Sequence, residues 1–342
     1  MQTLILEEPG RIVVRDVPAP GAPGPGEALV RVHRIGVCGT DLHAFIGDQP
    51  FINYPLILGH ELGVEVLAVG AGVGNVRPGE RCALEPYLNC GRCSACTRGR
   101  TNCCRSLRVL GVHTDGGHRA RLLVPARKLH VSATLDYDQL ALVETLGIGA
   151  HAVARAEVQP GETVAVIGAG PIGLAVMQFA LAAGARVIAV DVNASRLAFC
   201  RSRIGVTDSV DARAGDVVAQ LEALTAGDLP TAVFDATGSA KSMKAAFVFP
   251  AQGGRLVLVG LAQAEVTFSD PDLHRRELSV LASRNSLSTD FVRIIHLIEG
   301  GRIDTAPWIT HRATLTEVPA LFAAWTLPAT GVIKAMIEVP DR

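Results

Sequence analysis

The first part of the chain carries short apolar runs that are separated by turn-forming residues. Apolar and polar positions alternate along residues 28–37 (ALVRVHRIGV), and residues 62–73 and 121–126 form similar short runs. A period of two places successive side chains on opposite faces of a strand. The Pro- and Gly-rich stretch at residues 17–27 indicates a loop between such strands. This part is therefore predicted to be mostly β and barrel-like.

From about Gly149 the pattern changes to strand-like runs that alternate with helical stretches. The strand-like runs lie at residues 163–168, 186–191, 231–237 and 255–261. The helical stretches lie at residues 171–184, 195–205 and 239–249. This alternation predicts βαβ units around a parallel sheet, and thus an α/β fold class. Residues 290–301 predict a further helix, and residues 331–339 a final strand.

At 342 residues the chain is too long to fold around a single hydrophobic core of ordinary size. We expect two domains, the first formed by residues 1–148 and 288–342 and the second by residues 149–287. The 32 basic and 33 acidic residues give a formal net charge of −1. This balance disfavours binding to nucleic acid or to a membrane surface.

The N-terminus has no basic segment followed by an apolar stretch, so it does not resemble a signal peptide. We therefore expect a cytoplasmic protein with reduced thiols, in which cysteines serve metal binding or catalysis. Residues 163–185 are uncharged and long enough to cross a bilayer. Their closely spaced glycines and one proline favour a strand, a turn and a helix over a membrane span.

The segment that follows the strand-like run 163–167 has the G-x-G-x-x-G pattern of dinucleotide-binding sites. It reads Gly168, Ala, Gly170, Pro171, Ile172, Gly173, and a helical stretch follows. The first glycine allows a tight turn, the second lets the backbone approach a pyrophosphate, and the third lets helix and strand pack closely. A glycine-rich turn without a ligand is the alternative. The preceding strand and the following helix favour a cofactor site.

Asp191 ends the next strand-like run, 21 residues after Gly170, at the spacing that this pattern requires. A carboxylate there accepts hydrogen bonds from the ribose hydroxyls and repels a 2′-phosphate, which favours NAD over NADP. Arg196 lies five residues further on and weakens this preference.

Four of the eight cysteines are closely spaced in one short stretch. Cys90, Cys93, Cys96 and Cys104 follow the pattern C-x2-C-x2-C-x7-C within a lobe at residues 86–111. Four thiolates at such separations predict a closed, tetrahedral structural zinc site. Disulfide pairing is one alternative, and a nucleic-acid-binding zinc ribbon is another; the balanced net charge argues against the ribbon.

A second set of potential metal ligands is spread over three segments. Cys38, His60 and Glu144 together suit a zinc ion with an open coordination position. Taken singly, each has an ordinary structural interpretation as a core thiol, a satisfied histidine or a surface acid. Their occurrence beside a dinucleotide motif and a separate four-cysteine site favours the metal interpretation.

In this order, the motifs resemble zinc-dependent members of the medium-chain dehydrogenase/reductase family over essentially the whole chain. They are GVCGTDLHAF, LGHELGVEV, the four-cysteine lobe, VIGAGPIGLAV and GVIKAMIEV. The resemblance implies a GroES-like catalytic domain, a Rossmann domain and two zinc ions per chain. It also implies that Cys38, His60 and the Glu144 position hold the catalytic zinc, and that Glu61 can ligate it in place of water. Glutamate at 144 resembles the sorbitol and threonine dehydrogenase branch, which implies a polar substrate.

The resemblance also implies roles for residues around the metal. Thr40 and His43 resemble the inner and outer groups of the family's proton relay, although His43 is nearly as well explained as a surface histidine. Asp41 is expected to orient the His60 ring by accepting its second N–H proton, or else to be a turn acid. Arg284 loosely resembles a substrate-binding arginine, with a structural ion pair as the alternative.

The expected reaction is hydride transfer from a secondary alcohol, a polyol or a sugar acid, to NAD, which leaves a ketone. Residues 107–117 and 309–312 resemble bacterial L-idonate or L-galactonate 5-dehydrogenases, with lower specificity than the metal motifs. A simple-alcohol or threonine dehydrogenase, a zinc-free quinone reductase and a non-catalytic NAD-binding redox sensor are the alternatives. The resemblance further implies a homo-oligomer, a tetramer rather than a dimer.

Overall fold

The computed structural model describes residues 1–340. Contacts divide the chain into two compact units, one of Met1–Thr145 with the chain from Leu287 onward, and one of Leu146–Ser286. The predicted boundaries followed residues 148 and 287. Residues 341–342, which the prediction assigned to the first domain, lie outside the described residues.

The N-terminal part of the first unit is built from short strands, as the alternating pattern predicts. Its strands are β1 (Gln2–Glu8), β2 (Arg11–Asp16), β3 (Glu27–Val37), β4 (Glu61–Val69), β5 (Arg81–Leu84), β6 (Tyr87–Leu88), β7 (Arg108–Val109), β8 (Arg121–Pro125) and β9 (Leu129–Val131). Its helices are α1 (Gly39–Ile46), α2 (Ser94–Thr97) and the first part of α3 (Tyr137–Arg155). The boundary between the units falls within α3.

The second unit is a parallel sheet with intervening helices. Its strands are β10 (Thr163–Ile167), β11 (Arg186–Asp191), β12 (Asp208–Asp211), β13 (Ala232–Asp235), β14 (Arg255–Leu258) and β15 (Ser279–Ala282). Its helices are α4 (Pro171–Ala182), α5 (Ala194–Phe199), α6 (Val217–Leu224), α7 (Ala240–Ala245) and α8 (Asp270–Arg275). In the described chain the strand order is β12-β11-β10-β13-β14-β15. The order reverses beside β10, which is where doubly wound sheets bind ligands.

The chain then returns to the first unit and completes its main sheet. The returning elements are α9 (Ser288–Glu299), β16 (Ile309–Thr314), α10 (Val318–Trp325) and β17 (Lys334–Glu338). Within the described residues, this sheet has the order β16-β17-β3-β4-β5-β9, and β8 pairs with β3. Trp308, Phe291 and Phe322 are fully buried in this unit. The predicted α/β class, with a mostly β domain and a parallel-sheet domain, is confirmed.

The uncharged stretch at residues 163–185 is strand β10, a turn at Gly168–Gly170 and helix α4. Among the residues described here, no helix combines the length and the apolar character needed to cross a membrane.

Candidate metal centres and cofactor site

The four cysteines of the predicted structural site are brought together in the lobe. One sulfur from each of Cys90, Cys93, Cys96 and Cys104 lies within 4.8 Å of the others. Backbone N–H groups point at the sulfurs, for example from Cys90 to Cys104 Sγ at 3.3 Å. Such donors, from Cys96 and Arg105, lower the pKa of Cys93 to about 6. Backbone donors likewise lower the pKa of Cys90, whereas the pKa of Cys104 is raised. Cys90 and Cys93 therefore favour the thiolate, the form that binds zinc.

Cys103 directly precedes Cys104 but lies outside this cluster, and its side chain is exposed. All eight cysteines lie within the described residues, and none of them forms a disulfide. The structure thus gives the disulfide alternative no support.

A second cluster brings Cys38, His60 and Glu61 together, with ligand atoms within 4.8 Å of one another. The fold explains this proximity, because Cys38 follows the end of β3, and His60 and Glu61 stand at the start of its antiparallel partner β4. Gly36 pairs with Glu61 across these strands. A Cβ on Gly36 would lie 2.0 Å from Glu61 Oε2, so glycine is required there to admit the carboxylate.

Asp41 is fully buried between the Cys38 and His60 segments. Its Oδ2 accepts a hydrogen bond from the Cys38 backbone N–H at 2.9 Å. Its Oδ1 lies 3.6 Å from His60 Nδ1, an ion-pair distance that is too long for a hydrogen bond. Asp41 Oδ1 and His60 Nδ1 are both buried without a hydrogen-bond partner. The orienting role of Asp41 stays a prediction. The ring nitrogen of His60 that faces Asp41 is Nδ1, so the role would require Nε2 to be the nitrogen that binds the metal.

Negative groups converge on His60. Burial disfavours the charged ring, but Asp41 and Cys38 outweigh burial and raise the pKa of His60 well above its ordinary value. A sulfur, a ring nitrogen and carboxylates in a site that favours positive charge suit a zinc ion. The donor set thus fits the metal that the sequence predicts.

Glu61 has a buried cationic partner that the sequence prediction missed. Lys334, 1% exposed, places its Nζ 2.7 Å from both Glu61 oxygens. Burial opposes the charge on Glu61, and Lys334 outweighs burial, so the pKa of the Glu61 carboxyl is lowered. The sequence did offer an indication of this pair: Lys334 is a charged residue within the apolar run that forms β17. Lysine is almost never fully buried unless it has an acidic partner.

Glu144 lies on α3 and is not part of the group of donor atoms within 4.8 Å of one another. The Tyr87 hydroxyl donates a short hydrogen bond to Glu144 Oε1. Burial raises the pKa of Glu144, and the positive His60 opposes that shift. Tyr87 was also missed from the sequence, where it follows Glu85-Pro86 without a recognisable motif.

The two predicted relay residues both lie on α1. Thr40 is half-buried at the second position of this helix. His43 is exposed, and its Nδ1 lies 2.9 Å from Asp48 Oδ1. An exposed side chain at this position is accessible to bulk water. The relay roles of Thr40 and His43 stay predictions.

The predicted cofactor motif adopts the strand–turn–helix geometry that phosphate binding needs. Gly168 follows β10 with φ 94°, and Gly170 precedes Pro171 at the start of α4. A Cβ on Gly173 would lie 1.7 Å from the Gly168 carbonyl oxygen, so only glycine allows this close packing. Ile172 is half-buried beside it. The free N–H groups of the α4 N-terminus form a cradle suited to a pyrophosphate.

Asp191 ends β11 beside this cradle. Its Oδ2 accepts a hydrogen bond from the Ala169 N–H at 2.6 Å, and its Oδ1 accepts one from the Asn193 N–H at 2.7 Å. A carboxylate has about four lone-pair sites, so it can still accept ribose hydroxyls. Arg196 donates to the Ala169 carbonyl oxygen at 3.2 Å and so also borders the glycine turn.

Arg284 follows β15 in the second unit, and its side chain is exposed. The substrate role of Arg284 stays a prediction.

Comparisons with known proteins agree with this fold and these sites. The model of the alcohol dehydrogenase GroES-like domain matches residues 24–133, and that of the zinc-binding dehydrogenase domain matches residues 171–300. The L-galactonate-5-dehydrogenase of Escherichia coli K12 is 40% identical over 322 residues, covering 93% of this chain and 94% of its own.

Two solved structures with bound cofactors are similar along nearly the whole chain. A putative zinc-binding dehydrogenase from Sinorhizobium meliloti 1021, bound to NADP, is 34% identical with a TM-score of 0.90 and 98% coverage of both chains. The alcohol dehydrogenase RspB from E. coli CFT073, complexed with NADH, is 29% identical with a TM-score of 0.92 and 99% coverage of both chains.

The chain therefore belongs to the zinc-type alcohol dehydrogenase family, with a GroES-like domain and a Rossmann domain. It is an oxidoreductase that acts on an alcohol with a nicotinamide cofactor, as the sequence predicts.

Proposed function

We propose that this enzyme oxidises a secondary hydroxyl of a polyol or sugar acid to a ketone, with NAD as hydride acceptor and zinc as Lewis acid. The observation that carries the proposal is the convergence of Cys38 and His60 with buried carboxylates, in a chain that also has the glycine cradle and Asp191. A redox sensor without catalysis would not need that donor set.

We assign the catalytic zinc to Cys38, His60 and Glu144 rather than to Glu61. Glu61 is nearer to the other donors, but it is the counter-ion of the buried Lys334. Breaking such a pair costs about 3–5 kcal/mol because a buried charge is left uncompensated. The Tyr87 hydroxyl donates to one oxygen of Glu144, so ligation through the other oxygen would break no ion pair.

When bound, zinc polarises the substrate hydroxyl, and NAD accepts the hydride. The protein residues then have to remove one proton from a closed site. Thr40 would accept this proton on its hydroxyl oxygen while it gives up its own hydroxyl proton toward solvent. His43 would pass that proton to water, with Asp48 holding its Nδ1. Asp41 would keep the His60 ring in the tautomer and orientation that ligation needs.

The name of the most identical relative cited above supports a sugar acid as substrate. A hydroxyl-rich substrate suits a site that brings a thiol, an imidazole and buried carboxylates together, because such polar groups must be satisfied when water is excluded. Arg284 would bind the substrate carboxylate or two adjacent hydroxyls in a bidentate manner.

A dehydrogenase screen tests this function. The protein is loaded with zinc and NAD, and NADH absorbance is followed with L-galactonate, L-idonate, sorbitol, threonine and 2-propanol. We expect turnover of the sugar acids or the polyol, with kcat/KM at least about 10²-fold above that for 2-propanol, because unpaired polar groups penalise the simpler alcohol. Two zinc ions per chain should accompany this activity. Activity on 2-propanol or threonine alone would contradict the substrate class.

Asp191 should make the enzyme prefer NADH to NADPH. A 2′-phosphate placed beside this carboxylate is repelled, so we expect NADH to bind about 10²-fold more tightly in a fluorescence titration. Asp191→Asn should lose most of this preference. Asp211 is the register partner of Asp191 at the end of β12 and provides the matched control. Asp211→Asn should keep the preference, and equal affinities in the unmodified protein would exclude the Asp191 argument.

We also propose that the protein is cytoplasmic and forms a homo-oligomer, a tetramer rather than a dimer. The unpaired state of all eight cysteines within the described chain supports a reducing compartment.

A further inference from the structure

The buried ammonium of Lys334 contacts three separate segments of the first unit. Besides both oxygens of Glu61, its Nζ lies 3.2 Å from the Val37 carbonyl oxygen and 3.2 Å from Thr145 Oγ1. An ammonium has three N–H donors, so one donor is available for each segment. Lys334 is thereby fully satisfied although it is excluded from solvent.

Each of these acceptors is the sequence neighbour of a proposed zinc ligand. The neighbouring pairs are Val37 and Cys38, Glu61 and His60, and Thr145 and Glu144. The three segments belong to the end of β3, the start of β4 and helix α3. The Lys334 ammonium is therefore hydrogen-bonded to the sequence neighbour of each of the three proposed metal ligands.

The same contacts determine which carboxylate is available to a metal. If Glu61 left Lys334 for the metal, the remaining hydrogen-bond acceptors of the buried ammonium would be the neutral Val37 carbonyl oxygen and Thr145 Oγ1. Cys38 and Glu144 also favour its charge, but neither is hydrogen-bonded to it, so the loss of the direct counter-ion is destabilising. Glu144 has a neutral partner, Tyr87, and is under no such constraint.

We propose that Lys334 is a positioning residue that assembles the three ligand-bearing segments before the metal binds and retains Glu61 as its own counter-ion. An open coordination position on the bound metal would thereby remain for substrate. This inference rests on the proposed catalytic zinc, and it goes further by assigning a function to a residue outside the ligand set.

The test uses cobalt in place of zinc, since the visible absorption of Co²⁺ reports its coordination number and ligands. The Cys38→Ser variant keeps the four-cysteine site but lacks a ligand of the catalytic site. Subtracting its cobalt spectrum from that of each other protein therefore leaves the contribution of the catalytic site. In Lys334→Met the Glu61 carboxylate loses its partner and should bind the metal, so the spectrum should change to that of a more highly coordinated ion. A spectrum identical to that of the unmodified protein would overturn the retention of Glu61.

The double variant Lys334→Met with Glu61→Gln separates the two roles. It removes both charges together, which the fold tolerates better than the loss of one partner. Its cobalt spectrum should match that of the unmodified protein, because Glu61 was not a ligand. Its zinc affinity at the Cys38 site, measured by chelator competition, should be about 10-fold weaker, because the three segments are no longer linked.

A changed spectrum in the double variant would show that Glu61 is a resident ligand, and an unchanged zinc affinity would show that Lys334 does not assemble the site. Either result contradicts the inference. Melting temperatures of both variants identify any loss of folding. Failure of the proposed function has a different signature, since the unmodified protein would then bind metal only at the four cysteines.

Discussion

Replacing Cys38 by serine should abolish alcohol oxidation while the protein stays folded and still binds NADH. Cys38 is one of the two non-carboxylate donors of the candidate catalytic site. The Lewis acid contributes several kcal/mol of transition-state stabilisation, so its loss should lower kcat/KM by about 10³-fold or more. The glycine cradle and Asp191 lie on other segments of the chain and are unchanged. The measurements are NADH production, zinc content and NADH fluorescence titration.

Cys103→Ser is the matched control, since this exposed thiol belongs to neither metal cluster. It should keep two zinc ions per chain and full activity. His60→Ala should reproduce the loss seen with Cys38→Ser. Retained activity in Cys38→Ser or His60→Ala, or in zinc-free protein, would exclude the metal-assisted reaction.

Replacing Cys96 by serine should destabilise the protein before it affects the chemistry. Its sulfur is held within the four-cysteine cluster and receives a contact from Asn89 Nδ2 at 3.7 Å. A closed thiolate shell leaves no position for substrate, so the metal there stabilises the lobe. We expect the zinc content to fall from two ions to one. We also expect the free energy of unfolding to fall by on the order of 3 kcal/mol, or the melting temperature by about 5–10 °C.

Cys103→Ser serves as the control here too, because it alters a thiol one position away from the cluster ligand Cys104. Its melting temperature should stay close to that of the unmodified protein. If Cys96→Ser kept its stability and lost only turnover, the assignments of the two metal sites would have to be exchanged.

Local patterns in the sequence were sufficient for much of this architecture. The glycine motif, the strand before it and the acid at Asp191 predict a cofactor cradle because each residue acts through its own backbone or its immediate neighbours. The four cysteines likewise lie within 15 residues of one another, from Cys90 to Cys104, so their spacing alone predicts that they can meet. The α/β class follows from periodicity, which local sequence encodes directly.

The catalytic cluster depends on pairing between distant strands. Cys38 and His60 come together because β3 and β4 pair in one register, and Gly36 leaves the space into which Glu61 fits. Only an analogy with a known family indicated from sequence that Glu144, more than 80 residues further on, belongs nearby.

Taken alone, the sequence determined the α/β class, the glycine cradle and the four-cysteine set, because these properties reside in short segments. The second ligand set is spread over distant segments, and the sequence indicated it only through the family resemblance. The tertiary structure alone decided which carboxylate has a buried cation as its partner. Lys334 lies 273 residues from Glu61 along the chain, and no local pattern predicts that contact. Only the pairing of β17 with β3, and of β3 with β4, brings the ammonium to the carboxylate. A buried charge is stable only when the fold places an opposite charge beside it. Whether Glu61 serves as the counter-ion of Lys334 or as a metal ligand therefore depends on the folded structure.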